Sequence, residues 1–422
     1  MPQGLRVRSE IGRLGKVCLH RPGDELINMT PDSLEPLLFD DAPFLEVARA
    51  EHDRFAQTLR EQGAEVVYLE DLVREALDAN PGARDAFTDQ YLAESGVRDP
   101  HALSRARELL AGIDDTLAFV LKTMSGIRRD EVELSRVTTD TLASHMARAD
   151  EKQMSMLIPP MPNLYFTRDP FAVVGDGVLV NHMYSVTRNR ETIYGQVVFA
   201  HHPEYRDVPK WYRRDSSYHI EGGDVLNLNA TTLAVGISQR TEAAAIDALA
   251  QNLFWGGTSS KPSEIDTIYA VDIPVSRACM HLDTVFTQID VDTFTIYPAI
   301  RGTLQVFRLR KGPNLGEVRI DEMNDTLEHV LSKALGLDGV RVLPCGGDDP
   351  IAAAREQWND GSNTLAVAPG RIVVYQRNVV TNELLYKAGL DLLVIPSSEL
   401  SRGRGGPRCM SMPLWRDEAP AR

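Results

Sequence analysis

One pattern constrains this 422-residue chain more than any single motif. A short β-rich run, a polar turn, a second β-rich run and a helix-period segment recur along it. "DPFAVVGDGVLVNHM" (169–183) is one such strand–turn–strand, with Gly175-Asp176-Gly177 at the turn. "GDVLNLNATTLAVGIS" (223–238) is a second, followed by the helical "TEAAAIDALAQNLF". "DTVFTQIDVDTFTIYP" (283–298) is a third. "NTLAVAPGRIVVYQR" (363–377) is a fourth, followed by the helical "NELLYKAG" and the strand "LDLLVIP". Nearer the N-terminus, "GKVCLHRP", the helix "EHDRFAQTLREQG" and the strand "AEVVYL" offer a fifth. The units echo one another in pattern rather than in letters. They predict an α/β fold built from repeats, with an ordinary mixed-sheet α/β fold as the alternative.

Residues 71–155 break the pattern. "DLVREALDA", "HALSRARELLAGIDDTLAFVLKTMSG" and "TTDTLASHMARADEK" are helix-period segments with almost no strand signal. The expected division is therefore 1–70, a first repeat unit; 71–155, an all-α insertion; and 156–422, the remaining units with the catalytic residues. The prolines of "LIPPMPNLYFTRDP" stop a helix and start a loop.

The formal net charge is −15. An acidic surface argues against nucleic acid or an anionic membrane as partner and suits a cationic small molecule. No apolar run reaches transmembrane length, and the first residues lack the apolar core of a signal peptide. The four cysteines, Cys18, Cys279, Cys345 and Cys409, are widely spaced with no CxxC pair. That usage predicts a reduced, cytoplasmic protein without a disulfide framework.

Cys409 stands in "SRGRGGPRCMSMP", a segment too Gly-rich for core. Gly403, Gly405 and Gly406 permit unusual backbone geometry, and Pro407 stiffens the approach. Arg404 and Arg408 would favour the thiolate. A free surface cysteine is the plain alternative. Elsewhere, "MHLDT" puts His281 and Asp283 on one face of a strand-like run, and "YHIEGGDVL" does the same for His219 and Glu221, with Asp224 past a diglycine. "NLYFTRDP" sets Asp169 at the mouth of another strand, near Asn163 and Phe166. Repeats arranged around an axis would converge these edges on one pocket. Three readings stay open on spacing alone: a metal site built on HxE and HxD, a Cys–His nucleophilic site with orienting carboxylates, or structural hydrogen bonding. Paired carboxylates match a guanidinium bidentately. Arg188, Arg240 and Arg404 lie near strand ends and together could bind a carboxylate at the other end of such a substrate. Cys345 in "LPCGGDDP" is the weaker nucleophile, because Asp348 and Asp349 would raise its pKa.

"PNLYFTRDP", "HIEGGDVL", "MHLDTVFT" and "RGRGGPRCMSMP", in that order, resemble the bacterial arginine deiminases of the guanidine-modifying superfamily. "SEIGRLGKVCLHRPGDEL" and "FDDAPFLEVARAEHDRFA" resemble their N-terminal signatures, so the likeness covers essentially the whole chain. It implies a pseudo-fivefold α/β propeller of ββαβ-type units (the pentein propeller) with an all-α insertion. It also implies hydrolysis of free L-arginine to L-citrulline and ammonia through a cysteine-bound S-alkylthiouronium. By position, the nucleophile falls on Cys409, the general acid/base on His281 and its carboxylate partner on Glu221. The guanidinium-gripping aspartates fall on Asp169 and Asp283. Contacts to the substrate carboxylate fall on Arg188, Arg240 and Arg404, and further pocket positions on Asn163, Phe166 and Asp224. No metal or other cofactor is implied, and a cytoplasmic homo-oligomer, dimer or tetramer, is expected. A dimethylarginine hydrolase, an agmatine deiminase or an amidinotransferase would use similar parts, but the three arginines favour a substrate with a free carboxylate. From another class, an inactive arginine-binding protein would not need the intact Cys-His-Glu-Asp-Asp set.

Overall fold

The computed structural model describes residues 3–132, 155–257, 261–276, 279–300 and 302–419. Five small sheets in it obey one pairing rule. In each, an outer strand pairs antiparallel with a middle strand, and the middle strand takes a parallel partner on its other side. Phe171–Val174, Gly177–Val180 and Lys210–Tyr212 form one such set. Val225–Asn227, Thr232–Ile237 and Thr267–Asp272 form the next. Phe286–Gln288, Thr293–Ile296 and Arg341–Pro344 form a third, and Leu365–Ala368, Arg371–Tyr375 and Asp391–Ile395 a fourth. Parallel neighbours need a crossover rather than a tight turn. The helices Thr192–His201, Ala243–Trp255, Leu327–Leu335 and Val379–Lys387 supply it. Strands such as Phe171–Val174 are apolar at every position and buried throughout, because both sheet faces are covered.

The fifth sheet departs from chain order. Leu14–Leu19 pairs parallel with Glu65–Tyr68, across the helix Leu45–Glu61, but its antiparallel partner is Met412–Arg416. The unit expected over 1–70 thus takes its outer strand from almost 400 residues further on. That strand directly follows Cys409. A second unexpected feature is a long hairpin, Thr303–Lys311 and Val318–Thr326, which extends the second sheet to five strands.

Residues 69–125 are helical, in the segments Leu69–Ala79, Ala83–Ala93, Pro100–Ala111 and Thr116–Ser125. Asp99 and Asp115 cap the last two by accepting from the backbone N–H groups of His101 and Ala118. The first buries Leu69, Leu72, Val73, Ala76 and Leu77, one stripe at helical spacing, and packs on Thr192–His201. Each large apolar side chain buried this way contributes about 1.5–3 kcal/mol. The helix expected over 138–152 lies outside the described residues. No helix among the described residues is long and apolar enough to cross a membrane.

Candidate active site

Each sheet sends the turn before its outer strand to the same place. Asp169 precedes Phe171–Val174. Glu221 and Asp224 precede Val225–Asn227. His281 and Asp283 precede Phe286–Gln288. Asn363 precedes Leu365–Ala368, and Cys409 precedes Met412–Arg416. Hydrogen bonds join these turns one to the next. Arg168 N–H donates to the Cys409 carbonyl at 3.1 Å, and Gly222 N–H to the Asp169 carbonyl at 3.1 Å. Leu282 N–H donates to Asp224 Oδ1 at 2.8 Å. Asn363 Nδ2 donates to the Asp283 carbonyl at 3.1 Å, and its Oδ1 accepts from Cys409 N–H at 3.0 Å. The five turns therefore close on themselves.

A cavity of about 820 Å³ opens over this ring. Asn163, Phe166, Asp169, Arg188, Arg240, His281, Arg404 and Cys409 line it. Glu221, Asp224 and Asp283 are fully buried behind it. His281 Nε2 is 2.7 Å from Glu221 Oε2. Cys409 Sγ lies 3.7 Å from Asp283 Oδ2. The two aspartates expected to grip a guanidinium share one feature. Asp169 Oδ2 accepts from Arg188 Nη1 at 2.8 Å and Asp283 Oδ2 from Arg408 Nη1 at 2.7 Å, while Oδ1 of each is buried and has no protein donor among the described residues. Two carboxylate oxygens are left open to a cation.

Charge in the site is uneven. Burial pushes the Cys409 thiol well above its usual pKa, and the charges of Asp283, Asp169 and Asp360 add to the rise; Arg408 opposes them. Arg408 thus favours the thiolate as expected, but burial and the three carboxylates outweigh it. The Arg408 guanidinium is already held by carboxylates, and Arg404 stacks 3.4 Å over the Trp358 ring. His281 moves upward: burial disfavours its charge, but Asp169, the Glu221 hydrogen bond and charge, and Asp224 outweigh it. Glu221 moves down for the reciprocal reason, against its own burial. Both shifts favour the imidazolium–carboxylate form of the pair.

Several expected details take another form. His281 and Asp283 were expected on one strand face, yet Leu282–Val285 is a single helical turn, with the strand starting at Phe286. Gly222–Asp224 is likewise a 3₁₀ turn. His219 does not join Glu221 in the site; it lies 3.3 Å from Glu242, partly exposed. In the cysteine loop the residue with left-handed backbone is Arg404 (φ 64°), not a glycine. Gly405 is needed for space instead, because a Cβ there would lie 2.3 Å from Phe166 Cε1. Asp224, expected in the pocket, has both oxygens engaged by Ser238, Thr241 and the Leu282 N–H, so it shapes the turn that carries His281 and Asp283. Arg188 is bound by Asp169 and Glu191. Arg240 lines the cavity with Nε buried and without a protein acceptor among the described residues. Asn163 donates to the Leu37 carbonyl at 2.8 Å. Cys345 is buried away from the cavity, its thiol pushed up to about 11, chiefly by burial. Asn363 went unnoticed in the sequence. Its position before the fourth β-rich run, matching that of Asp169 and Glu221 before theirs, is the signal that finds it. One ligand atom each from Asp169, Glu221 and His281 lie within 4.8 Å of one another, so the trio could also hold a metal ion.

Comparisons agree with this geometry. A profile described as arginine deiminase matches residues 35–416. An arginine deiminase of Treponema denticola is 52% identical over 415 residues, covering 98% of this chain and 99% of that protein. One from Clostridium perfringens is 51% identical over 421 residues, covering 99% of each. Among solved structures, an amidinotransferase from Microseira wollei, of the saxitoxin biosynthetic pathway, aligns with a TM-score of 0.52 at 13% identity over 98% of both chains. That likeness speaks to the α/β fold alone.

Proposed function

The chain belongs to the arginine deiminase family, and from that premise we propose that it hydrolyses free L-arginine to L-citrulline and ammonia through a covalent intermediate on Cys409. The observation that carries the reading is the pair of open oxygens, Asp169 Oδ1 and Asp283 Oδ1, beside the Cys409 thiol and the His281–Glu221 pair. A guanidinium held by both oxygens brings a positive charge to the carboxylates that raise the thiol pKa. The substrate itself thereby favours the thiolate. The thiolate attacks the guanidinium carbon and a tetrahedral adduct forms. His281 gives its proton to the departing nitrogen, ammonia leaves, and an S-alkylthiouronium remains. Neutral His281 then takes a proton from water, whose oxygen bonds to the same carbon. Collapse breaks the C–S bond as the adduct's hydroxyl proton passes to solvent, returns the thiolate and releases citrulline. Holding the reacting atoms in line can lower the barrier by roughly 7 kcal/mol or more.

The five matching sheets and the closed ring of turns support a pseudo-fivefold propeller, with 1–70 and 156–422 forming its units and 71–155 inserted. Four unbonded, buried cysteines support a reducing, cytoplasmic setting. The family likeness supports a homo-oligomer, dimer or tetramer. The test is direct: purified protein with L-arginine yields citrulline and ammonia in equal amounts, at a rate that exhaustive chelation does not change. A loss restored by added metal would favour the metal reading of Asp169, Glu221 and His281.

Substrate ends separate by substitution. Arg240, with its open Nε, is assigned to the α-carboxylate, together with Arg188 and Arg404. Arg240→Leu is expected to lower kcat/KM for arginine by roughly 10- to 150-fold, since a charge-assisted bond is worth about 1.5–3 kcal/mol. Agmatine, which lacks the carboxylate, should lose far less. Asp283→Ala should harm both equally. Equal losses for the two substrates in Arg240→Leu would mean that Arg240 supports the fold.

A further inference from the structure

Behind the cavity, Asp283 leaves Oδ1 without a protein donor among the described residues, while Oδ2 is taken. The side chain that takes it, Arg408, is 1% exposed and is not among the residues that line the cavity. Its remaining donors point the opposite way. Nε and Nη2 reach the two oxygens of Glu10 at 3.0 and 3.1 Å, and Nη2 also reaches the Val225 carbonyl at 2.9 Å. Glu10 in turn accepts from Asn227 N–H at 3.0 Å. The Arg408 carbonyl accepts from Arg168 Nε at 3.3 Å. The Arg408 side chain thus ties four chain segments together: its own cysteine-bearing turn, the His281–Asp283 turn, the start of Val225–Asn227 and the stretch before Leu14–Leu19.

A carboxylate rotates easily about its last torsion, where the preference is broad and two-fold. One held at a single oxygen by a fixed guanidinium does not. The fork-to-fork pairing with Glu10 sets the plane of that guanidinium. We propose that Arg408, held by Glu10, is a positioning residue of the reaction: it fixes the Asp283 carboxylate so that Oδ1 alone meets the substrate guanidinium while Oδ2 stays beside the Cys409 sulfur. The proposal rests on the deiminase reading only for the identity of that guanidinium. Lysine could not replace Arg408, because a point charge cannot bridge two carboxylates in a fixed plane.

Charge gives a second handle. Cys409 faces Asp283, Asp169 and Asp360, with Arg408 beside it, His281, Arg188 and Arg404 around the cavity, and the Tyr165 and Tyr375 hydroxyls nearby. Glu10 is held down to about 2, since Arg408, Arg168 and Arg416 together outweigh its burial. Its negative charge offsets part of what Arg408 presents to the sulfur.

The experiment compares Arg408→Lys and Glu10→Gln with the parent in the full-length protein. It reads thermal midpoint, kcat and KM for arginine, and the thiol titration by ultraviolet absorbance, taken as the difference from Cys409→Ser. In Arg408→Lys the charge remains, so the thiol midpoint should stay near the parent value, while kcat/KM falls about 100-fold through lost alignment. In Glu10→Gln the thiol midpoint should move to lower pH, which a purely structural role would not produce. Parent-like kcat/KM in Arg408→Lys, or an unmoved thiol midpoint in Glu10→Gln, overturns the proposal. If Arg408→Lys does not fold, Glu10→Gln decides. Failure of the deiminase reading looks different: the parent makes no citrulline, while the thiol midpoints still report on the anchor.

Discussion

Cys409→Ser should bind arginine and turn it over about 10,000-fold more slowly, or worse, because removal of a covalent nucleophile disables the whole reacting unit. Binding should survive. The open oxygens of Asp169 and Asp283 and the Nε of Arg240 are untouched by the change, and Sγ makes only a 3.7 Å contact with Asp283. A hydroxyl cannot follow the thiol to its ionised form when the substrate cation arrives, since its pKa lies far higher. Calorimetric titration with arginine and a citrulline time course measure the two halves. Cys345→Ser is the control. That thiol accepts from Thr381 Oγ1 at 3.5 Å, away from the cavity, and its loss should leave turnover intact. A Cys409→Ser protein producing citrulline at the parent rate would end the covalent reading.

Glu221→Gln should cost about 100- to 10,000-fold in kcat, the range in which positioned proton transfer works, and the loss should depend on pH. The sign follows from the geometry. Asp169, Glu221 and Asp224 raise the His281 pKa above its ordinary 6.5 in spite of burial. Removing the Glu221 charge lowers it again. The parent therefore keeps its imidazolium, the proton donor to the leaving nitrogen, at pH values where the variant has lost it. The deficit should be smallest below about pH 6 and deepen as pH rises past the ordinary histidine value near 6.5. Single-turnover ammonia release across that range measures it. A deficit that is flat in pH would mean that Glu221 only orients the ring.

The residue types of the site were legible because most sit at a β-rich run whose start is marked locally. Asp169, Glu221, His281 and Asp283 obey that rule, and so do the strand–turn–strand pairs; Cys409 was marked instead by its Gly-rich loop. What was not legible is partner choice across distance. Nothing near Leu14–Leu19 names Met412–Arg416 as its neighbour. Nothing in "PRC" indicates that the arginine turns inward to Glu10 and Asp283 rather than outward to solvent. Arg188 shows the same limit: its type suited a substrate carboxylate, but the closest carboxylates are Asp169 and Glu191 of the protein. Gly405 was read as permitting unusual backbone geometry, and is there to let Phe166 approach.

The pairing of Leu14–Leu19 with Met412–Arg416 sets an order of events during synthesis. Nearly 400 residues of chain separate the two strands, so at roughly 5–20 residues per second the first waits about 20–80 s for the second to emerge. Through that interval one edge of Leu14–Leu19 has no neighbour, although its parallel partner Glu65–Tyr68 is already present. Exposed edges of apolar strands recruit other chains. The nascent protein is therefore most vulnerable to association with its neighbours on the polysome before residues 412–416 appear, and the same segment that ends this exposure delivers the nucleophile. A ribosome-bound chain cannot act on arginine early, because protection of the edge and arrival of the thiol are one event.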